Sequence, residues 1–249
     1  MHSPPSHVIF DLDGTLVDSS IGILGSFRAT LDEIDLSAED HVLRQLIGPP
    51  LNESFRRLGV REEGVAGAVE LYREFYADRG VFEATLYPGV AATLESLSDR
   101  GIHLGVATAK RVDFAHQMLT ALGVAHLFEE ISGASIDLRL TSKFDIMRQV
   151  IESWNSVRGL DVWMVGDRRY DMVAARDHHV RAVGALWGFG SAEELCEAGA
   201  QWLVHRPVDL VEREPDGGSS ACMIDEVCDV CGSMLDTSHP ELCPGPTVG

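Results

Sequence analysis

Asp11-Leu12-Asp13-Gly14-Thr15 sets two carboxylates two positions apart at the end of the apolar run 7–10, with a glycine to turn the chain. Asp and Gly are ordinary turn formers, so a polar strand-to-loop turn accounts for this pentapeptide as well as a site does. A calcium loop of the EF-hand type does not, because Thr15 and Gly22 stand where that loop needs acids. The balance moves when Gly166-Asp167-Arg168-Arg169-Tyr170-Asp171 is added, since Asp167 closes another apolar run, 162–166, and Asp171 lies one helical turn beyond it. Up to four carboxylates, Asp11, Asp13, Asp167 and Asp171, are then expected to converge at one edge. Two such charges at about 4 Å repel by roughly 4 kcal/mol at an effective dielectric of 20, so a fold that gathers them needs a cation. An all-oxygen set with no His or Cys nearby selects Mg²⁺ over zinc.

The other half of the constellation suits an anion. Thr108 ends the apolar run 102–107 with a hydroxyl, and the backbone N–H of Ala109 follows it. Lys143, in Thr141-Ser142-Lys143-Phe144, falls in the first turn of an expected helix, where the macrodipole disfavours a cation by a few tenths of a kcal/mol. A solvated lysine is the plain reading of that position. An acidic cluster and an anion to hold give it a purpose.

Elements able to position these residues are legible in the periodicity. The runs 7–10, 102–107 and 162–166 alternate with amphipathic stretches at 114–122 and 144–151, and 181–187 and 201–204 continue the series. This pattern predicts an α/β fold, a Rossmann-like parallel sheet with helices on both faces. Residues 17–83 break the rhythm: Ile21, Leu24, Phe27, Leu31 and Ile34, then Val69, Tyr72, Phe75 and Tyr76, recur at helical spacing, and two weaker helices flank Gly48-Pro49-Pro50. We read 1–16 with 84–211 as the core, 17–83 as a small helical cap domain inserted after the first strand, and 212–249 as a tail. The chain rejoins the sheet near Tyr87-Pro88-Gly89. An insert at that point sits over the carboxyl ends of the strands, where open parallel sheets bind ligands.

Composition restricts the partners. In 249 residues, 20 Lys and Arg face 39 Asp and Glu, a formal charge of −19 that repels nucleic-acid phosphates and anionic membranes. No apolar stretch reaches the roughly 18 residues of a membrane span, and residues 1–7 lack the features of a secretory signal. A cytoplasmic protein acting on a small phosphorylated metabolite, as a monomer or homodimer, is expected, with no nucleic-acid polymer and no membrane as partner.

Asp11-Leu12-Asp13-Gly14-Thr15-Leu16-Val17-Asp18-Ser19, Thr108, Lys143, and Gly166-Asp167 with Asp171 together resemble, in order and spacing, the four signature motifs of the haloacid dehalogenase-like hydrolases over about residues 8–210. The helical insert resembles the cap of phosphoglycolate phosphatases, and 162–195 is similar to a phosphoglycolate phosphatase or 5′-nucleotidase branch. The resemblance implies that Asp11 is a nucleophile forming an aspartyl-phosphate and that Asp13 is the general acid and then base. It implies that Asp11, the Asp13 main-chain carbonyl and Asp167 hold Mg²⁺ with Asp171 in support, and that Thr108, Ala109 and Lys143 hold the phosphoryl group. An acid at Asp13 disfavours the dehalogenase and phosphonatase branches. The stretch after Ser19 lacks the histidine of the sugar-phosphate mutases. Ala109, Arg168 and Arg169 depart from the family's usual small polar residues. The expected function is a Mg²⁺-dependent phosphatase of small phosphomonoesters, phosphoglycolate phosphatase-like. A 5′-nucleotidase and a non-catalytic phosphate-binding regulator are the alternatives.

Other motifs carry less. Asp177-His178-His179 spells a manganese phosphoesterase signature but falls where a helix should end, and Gly188-Phe189-Gly190 lacks the third glycine of a dinucleotide loop. The five cysteines all lie from Cys196 onward, four of them between Cys222 and Cys243, and are expected to be free or metal-bound. Cys228 and Cys231, with Cys222, His239 and Cys243, could build a structural Zn²⁺ site, or the tail could hold reduced thiols. Residues 212–249 carry 8 acidic side chains and 1 basic one and no long apolar period.

Overall fold

The apolar runs become strands because side chains buried on both faces of a covered sheet need no alternation. A computed structural model of the chain describes residues 5–137, 139–154 and 162–212. The first strand, β1 (His7–Phe10), is followed by β2 (Val17–Asp18), by helices α1 (Ser20–Glu33), α2 (Asp40–Arg44), α3 (Leu51–Arg57) and α4 (Glu62–Asp78), and by β3 (Thr85–Leu86). β2 and β3 pair antiparallel, Val17 opposite Leu86 and Asp18 opposite Thr85. Then come α5 (Val90–Asp99), β4 (His103–Arg111), α6 (Val112–Ala121), β5 (Glu130–Ala134), α7 (Lys143–Ser153), β6 (Val162–Gly166), α8 (Arg169–Asp177), β7 (Arg181–Ala185), α9 (Ala192–Glu197), β8 (Trp202–Val204) and α10 (Asp209–Glu212).

Six strands form one sheet in the order β5-β4-β1-β6-β7-β8, every neighbouring pair parallel. Val8 and Phe10 of β1 join one buried cluster with Leu94 and Leu97 of α5 and Met118 of α6. Ile9, pointing the other way, joins a second with Ile146 and Met147 of α7 and Met172 of α8. That split is the period-two alternation of a strand with a core on each side. The first cluster runs on into the inserted helices, where the Phe27 ring lies 5.4 Å from Phe55 and 4.8 Å from Tyr72.

Several boundaries differ from the periodicity. β4 continues past Thr108 to Arg111 through a shift in its register with β5. Ile21 stands 67% exposed, because Ile23, Leu24, Phe27 and Leu31 set the buried face of α1. Asp177 closes α8 and His179 adopts φ 56°, so the Asp-His-His sequence is a turn. Cys196, in α9, is disulfide-bonded, which corrects the expectation of a free or metal-bound thiol there. The expected zinc ligands Cys222, Cys228, Cys231, His239 and Cys243 lie outside the described residues.

Candidate active site

Chain order reverses about β1: the sheet grows from it through β4 on one side and β6 on the other. Three neighbouring strands therefore deliver Asp11, Thr108 and Asp167 side by side at their carboxyl ends, the switch point of an open parallel sheet. The Asp11 N–H donates to the Val165 carbonyl at 2.9 Å, which continues the β1–β6 ladder into the first loop.

Carboxylate oxygens of Asp11, Asp167 and Asp171 lie within 4.8 Å of one another. Lys143, the first residue of α7, donates to Asp11 Oδ1 and contacts Asp171 Oδ1, both at 2.7 Å, with its side chain only 9% exposed. Burial pulls its ammonium down, but the carboxylates of Asp11 and Asp171 hold it above the ordinary lysine range. Among the described residues Asp167 has neutral hydrogen-bond partners: Thr15 Oγ1 donates to Oδ1 and the Phe189 N–H to Oδ2, each at 2.9 Å. Burial, with the charges of Asp11 and Asp171 beside it, pushes this carboxyl up to about 8. Burial also raises Asp171, to about 6, against the opposing pull of Lys143. With all three carboxyls ionised, one ammonium leaves two negative charges in a buried place. Hard oxygen donors with that surplus fit a small divalent cation.

The expected convergence of four carboxylates is corrected to three, because Asp13 is drawn elsewhere. Its Oδ1 accepts from Ser19 Oγ at 2.5 Å, and its Oδ2 lies 3.0 Å from Lys110 Nζ. Lys110 Nζ also donates to Tyr76 Oη at 2.6 Å and stands 4.3 Å from the centre of that ring. Thr108 is buried, and its Oγ1 accepts from the Lys110 N–H at 3.1 Å. The sequence motifs include Ser19, and the helical periodicity includes Tyr76, without giving either a part in the site, and Lys110 belongs to neither. The only available signal was the position of Lys110, two residues past Thr108.

Residues 8–185 match the family described as haloacid dehalogenase-like hydrolase. The chain belongs to that family. It is 34% identical to a 5′-nucleotidase of Pseudomonas aeruginosa over 195 residues, 76% of this chain and 86% of that one. It is 35% identical to the tyrosine-protein kinase PtkA of Mycobacterium tuberculosis over 202 residues, 81% and 69% of the two chains. A crystal structure of a predicted phosphatase from Clostridium acetobutylicum is 40% identical and superimposes with a TM-score of 0.78, covering 84% of this chain and 97% of that one. Family and relatives together make the chain a phosphatase of this hydrolase family, built on the fold of those solved structures.

Around this haloacid dehalogenase-like centre the backbone is packed too closely for side chains. Gly14 has φ +89°, and a Cβ there would sit 2.2 Å from Asp167 Oδ2. At Gly190 a Cβ would meet the Asp167 carbonyl at 1.9 Å. The Gly188-Phe189-Gly190 segment is thus the wall that brings the Phe189 N–H to Asp167. Trp187 Nε1 donates to the Thr15 carbonyl at 2.9 Å and braces the loop after β1 from outside. Arg168, one of the departures from the family pattern, spans two parts of the chain. Its Nε donates to Glu194 of α9 at 3.0 Å and its Nη1 to the Ile47 carbonyl, in the inserted helical segment, at 2.6 Å.

Proposed function

We propose that the chain is a Mg²⁺-dependent phosphatase that hydrolyses small phosphomonoesters through an aspartyl-phosphate on Asp11, with residues 17–83 acting as its cap. The observation that carries this reading is the placement of Asp11 at the switch point, bonded to Lys143 and beside Asp167 and Asp171. An Asp11 oxygen attacks phosphorus, the bond to the ester oxygen breaks, and Asp13 gives that oxygen a proton. In the second half, Asp13 takes a proton from the attacking water, the acyl phosphate bond breaks, and phosphate and Asp11 are regenerated. Dividing one displacement into two is the general gain of covalent catalysis, and one group serves as acid and then base. Lys143 neutralises growing charge on the phosphoryl oxygens, with Thr108 and the Ala109 N–H as further donors. Asp11, the Asp13 carbonyl and Asp167, supported by Asp171, would hold Mg²⁺, which would supply charge neutralisation to the transferring group.

Two substrate classes compete. The family resemblance suggested phosphoglycolate. The 5′-nucleotidase relative, at 34% identity, favours a nucleoside monophosphate more directly, because the solved structures whose names contain phosphoglycolate phosphatase are 23% identical or less. Transfer to a protein tyrosine, which the name of the mycobacterial relatives describes, would leave phosphate on an acceptor and not free in solution. The test is a phosphate-release screen across small phosphomonoesters, with phosphoglycolate, nucleoside monophosphates and phosphotyrosine among them, run with and without Mg²⁺. Absence of release from every ester in Mg²⁺ would overturn the phosphatase reading.

A further inference from the structure

Lys110 has no place in the chemistry assigned above, yet among the described residues it is a closely enclosed cation, with its side chain 7% exposed. A buried ammonium is costly unless its partners replace the water it loses. Its contacts are Asp13 Oδ2 at 3.0 Å, Tyr76 Oη at 2.6 Å, and the face of the Tyr76 ring. The opposite oxygen of Asp13 is held by Ser19. Both carboxylate oxygens are therefore engaged, which fixes the side chain in one rotamer. Tyr76 belongs to α4 and packs between Tyr72, its ring stacked at 5.9 Å, and Phe114 of α6, edge-on at 5.4 Å. The ammonium thus stands where α4 meets α6.

We propose that Lys110 is a positioning residue for Asp13, holding the carboxylate against Ser19 and tying its orientation to helix α4 through the Tyr76 hydroxyl. The inference rests on the proposed role of Asp13 as general acid. An acid that must meet a departing oxygen at hydrogen-bond distance gains from being held in one orientation beforehand. The link to Tyr76 adds a condition: Asp13 is correctly aimed only while Tyr76 of α4 keeps its place against Lys110 and Phe114. An ion pair that merely filled space would weaken every reaction of the enzyme alike.

Leaving-group dependence separates these roles. p-Nitrophenolate departs without a proton, whereas a primary alkoxide needs one from Asp13 as its bond to phosphorus breaks. Lys110→Met keeps the length of the side chain and removes the charge, and Tyr76→Phe keeps the ring and removes the hydroxyl. We expect Lys110→Met to lower kcat/KM for a primary alkyl phosphate by about tenfold or more, and that for p-nitrophenyl phosphate by less than about threefold. Tyr76→Phe should show the same bias at smaller size, and it decides alone if Lys110→Met does not fold. Equal losses on both esters, or none on either, would overturn the proposal. Asp13→Asn is measured in parallel. If it also fails to discriminate between the esters, the general-acid reading and this inference fall together. If it discriminates while Lys110→Met and Tyr76→Phe do not, only the role of Lys110 falls.

Discussion

Thr15 Oγ1 donates to Asp167 Oδ1 at 2.9 Å, joining residues 152 positions apart in the sequence. The same threonine accepts from Trp187 through its carbonyl. Hence the loop after β1, which carries Asp11 and Asp13, and the loop after β6, which carries Asp167, are fixed to each other directly, besides sharing a strand ladder. Asp11 and Asp167 are thereby placed relative to each other by side-chain bonds as well as by the sheet.

Metal dependence is the first expected outcome. Excess chelator should abolish phosphate release and added Mg²⁺ should restore it, because the surplus negative charge around Asp11, Asp167 and Asp171 has no other counterion than Lys143 among the described residues. Ca²⁺ should inhibit, since it takes more ligands in looser geometry than an in-line transfer tolerates. Turnover unchanged in chelator would sink the assignment.

The two aspartates of the first loop should differ in kind. Asp11→Asn is expected to remove phosphoryl transfer, as an amide cannot form the intermediate. Asp13→Asn should slow both half-reactions and leave phosphate binding in place. Rapid-quench trapping of labelled acyl phosphate checks both, and an Asp11→Asn enzyme retaining more than about a hundredth of the parent rate would show the covalent route to be wrong.

The raised carboxyls set a pH dependence. Without metal, the proton on Asp167 favours the folded chain: that contribution is complete below the unfolded carboxyl value of about 4 and is lost as pH rises through about 8. A divalent cation takes the proton's place, so protons and metal compete for the same oxygens. The rise in Tm caused by Mg²⁺ should therefore grow as pH is raised from about 6 to about 8. A rise that stays flat or shrinks over that interval in a thermal-denaturation series would contradict this account.

Arg168 makes a fourth case. Arg168→Ala removes charge-assisted bonds to Glu194 and to the Ile47 carbonyl from a largely enclosed side chain. The expected loss is about 1–2 kcal/mol in chemical denaturation, measured without substrate. A loss below a few tenths would mean that the guanidinium does not fasten the helical segment to α9.

Legibility followed the physics of each part. The strands buried on both faces, such as 7–10 and 162–166, announce themselves as unbroken apolar runs, and Asp11, Thr108 and Asp167 stand where those runs stop. β5 was missed because Glu130–Ala134 is an edge strand with Glu, Ser and Gly among its five residues, and it borrows its core from α6 and α7. β2 and β3 were missed because two-residue strands have no period to detect. The motif residues of the site were visible as polar residues at the ends of apolar runs or, for Lys143, as a cation at a helix start. Lys110 and Tyr76 were not, because they stand 34 positions apart, on β4 and α4, and meet only in the folded chain. Asp13 looked like a fourth member of the acidic cluster for the same reason: no local pattern shows that a lysine claims it.

The antiparallel pairing of β2 with β3 has a mechanical consequence. The chain enters and leaves the helices of residues 20–78 through two crossings bonded side by side, Val17 opposite Leu86 and Asp18 opposite Thr85. A segment joined by one strand has one covalent path to its base, whereas this one has two, bonded to each other, besides its packing on the sheet's core and its bonds to Lys110 and Arg168. The foot of the ribbon is anchored in the loop after β1, where the Gly14 N–H donates to the Val17 carbonyl and the Tyr87 N–H to the Leu16 carbonyl. The paired crossings and the backbone that carries Asp11 and Asp13 are thus one continuous hydrogen-bonded unit.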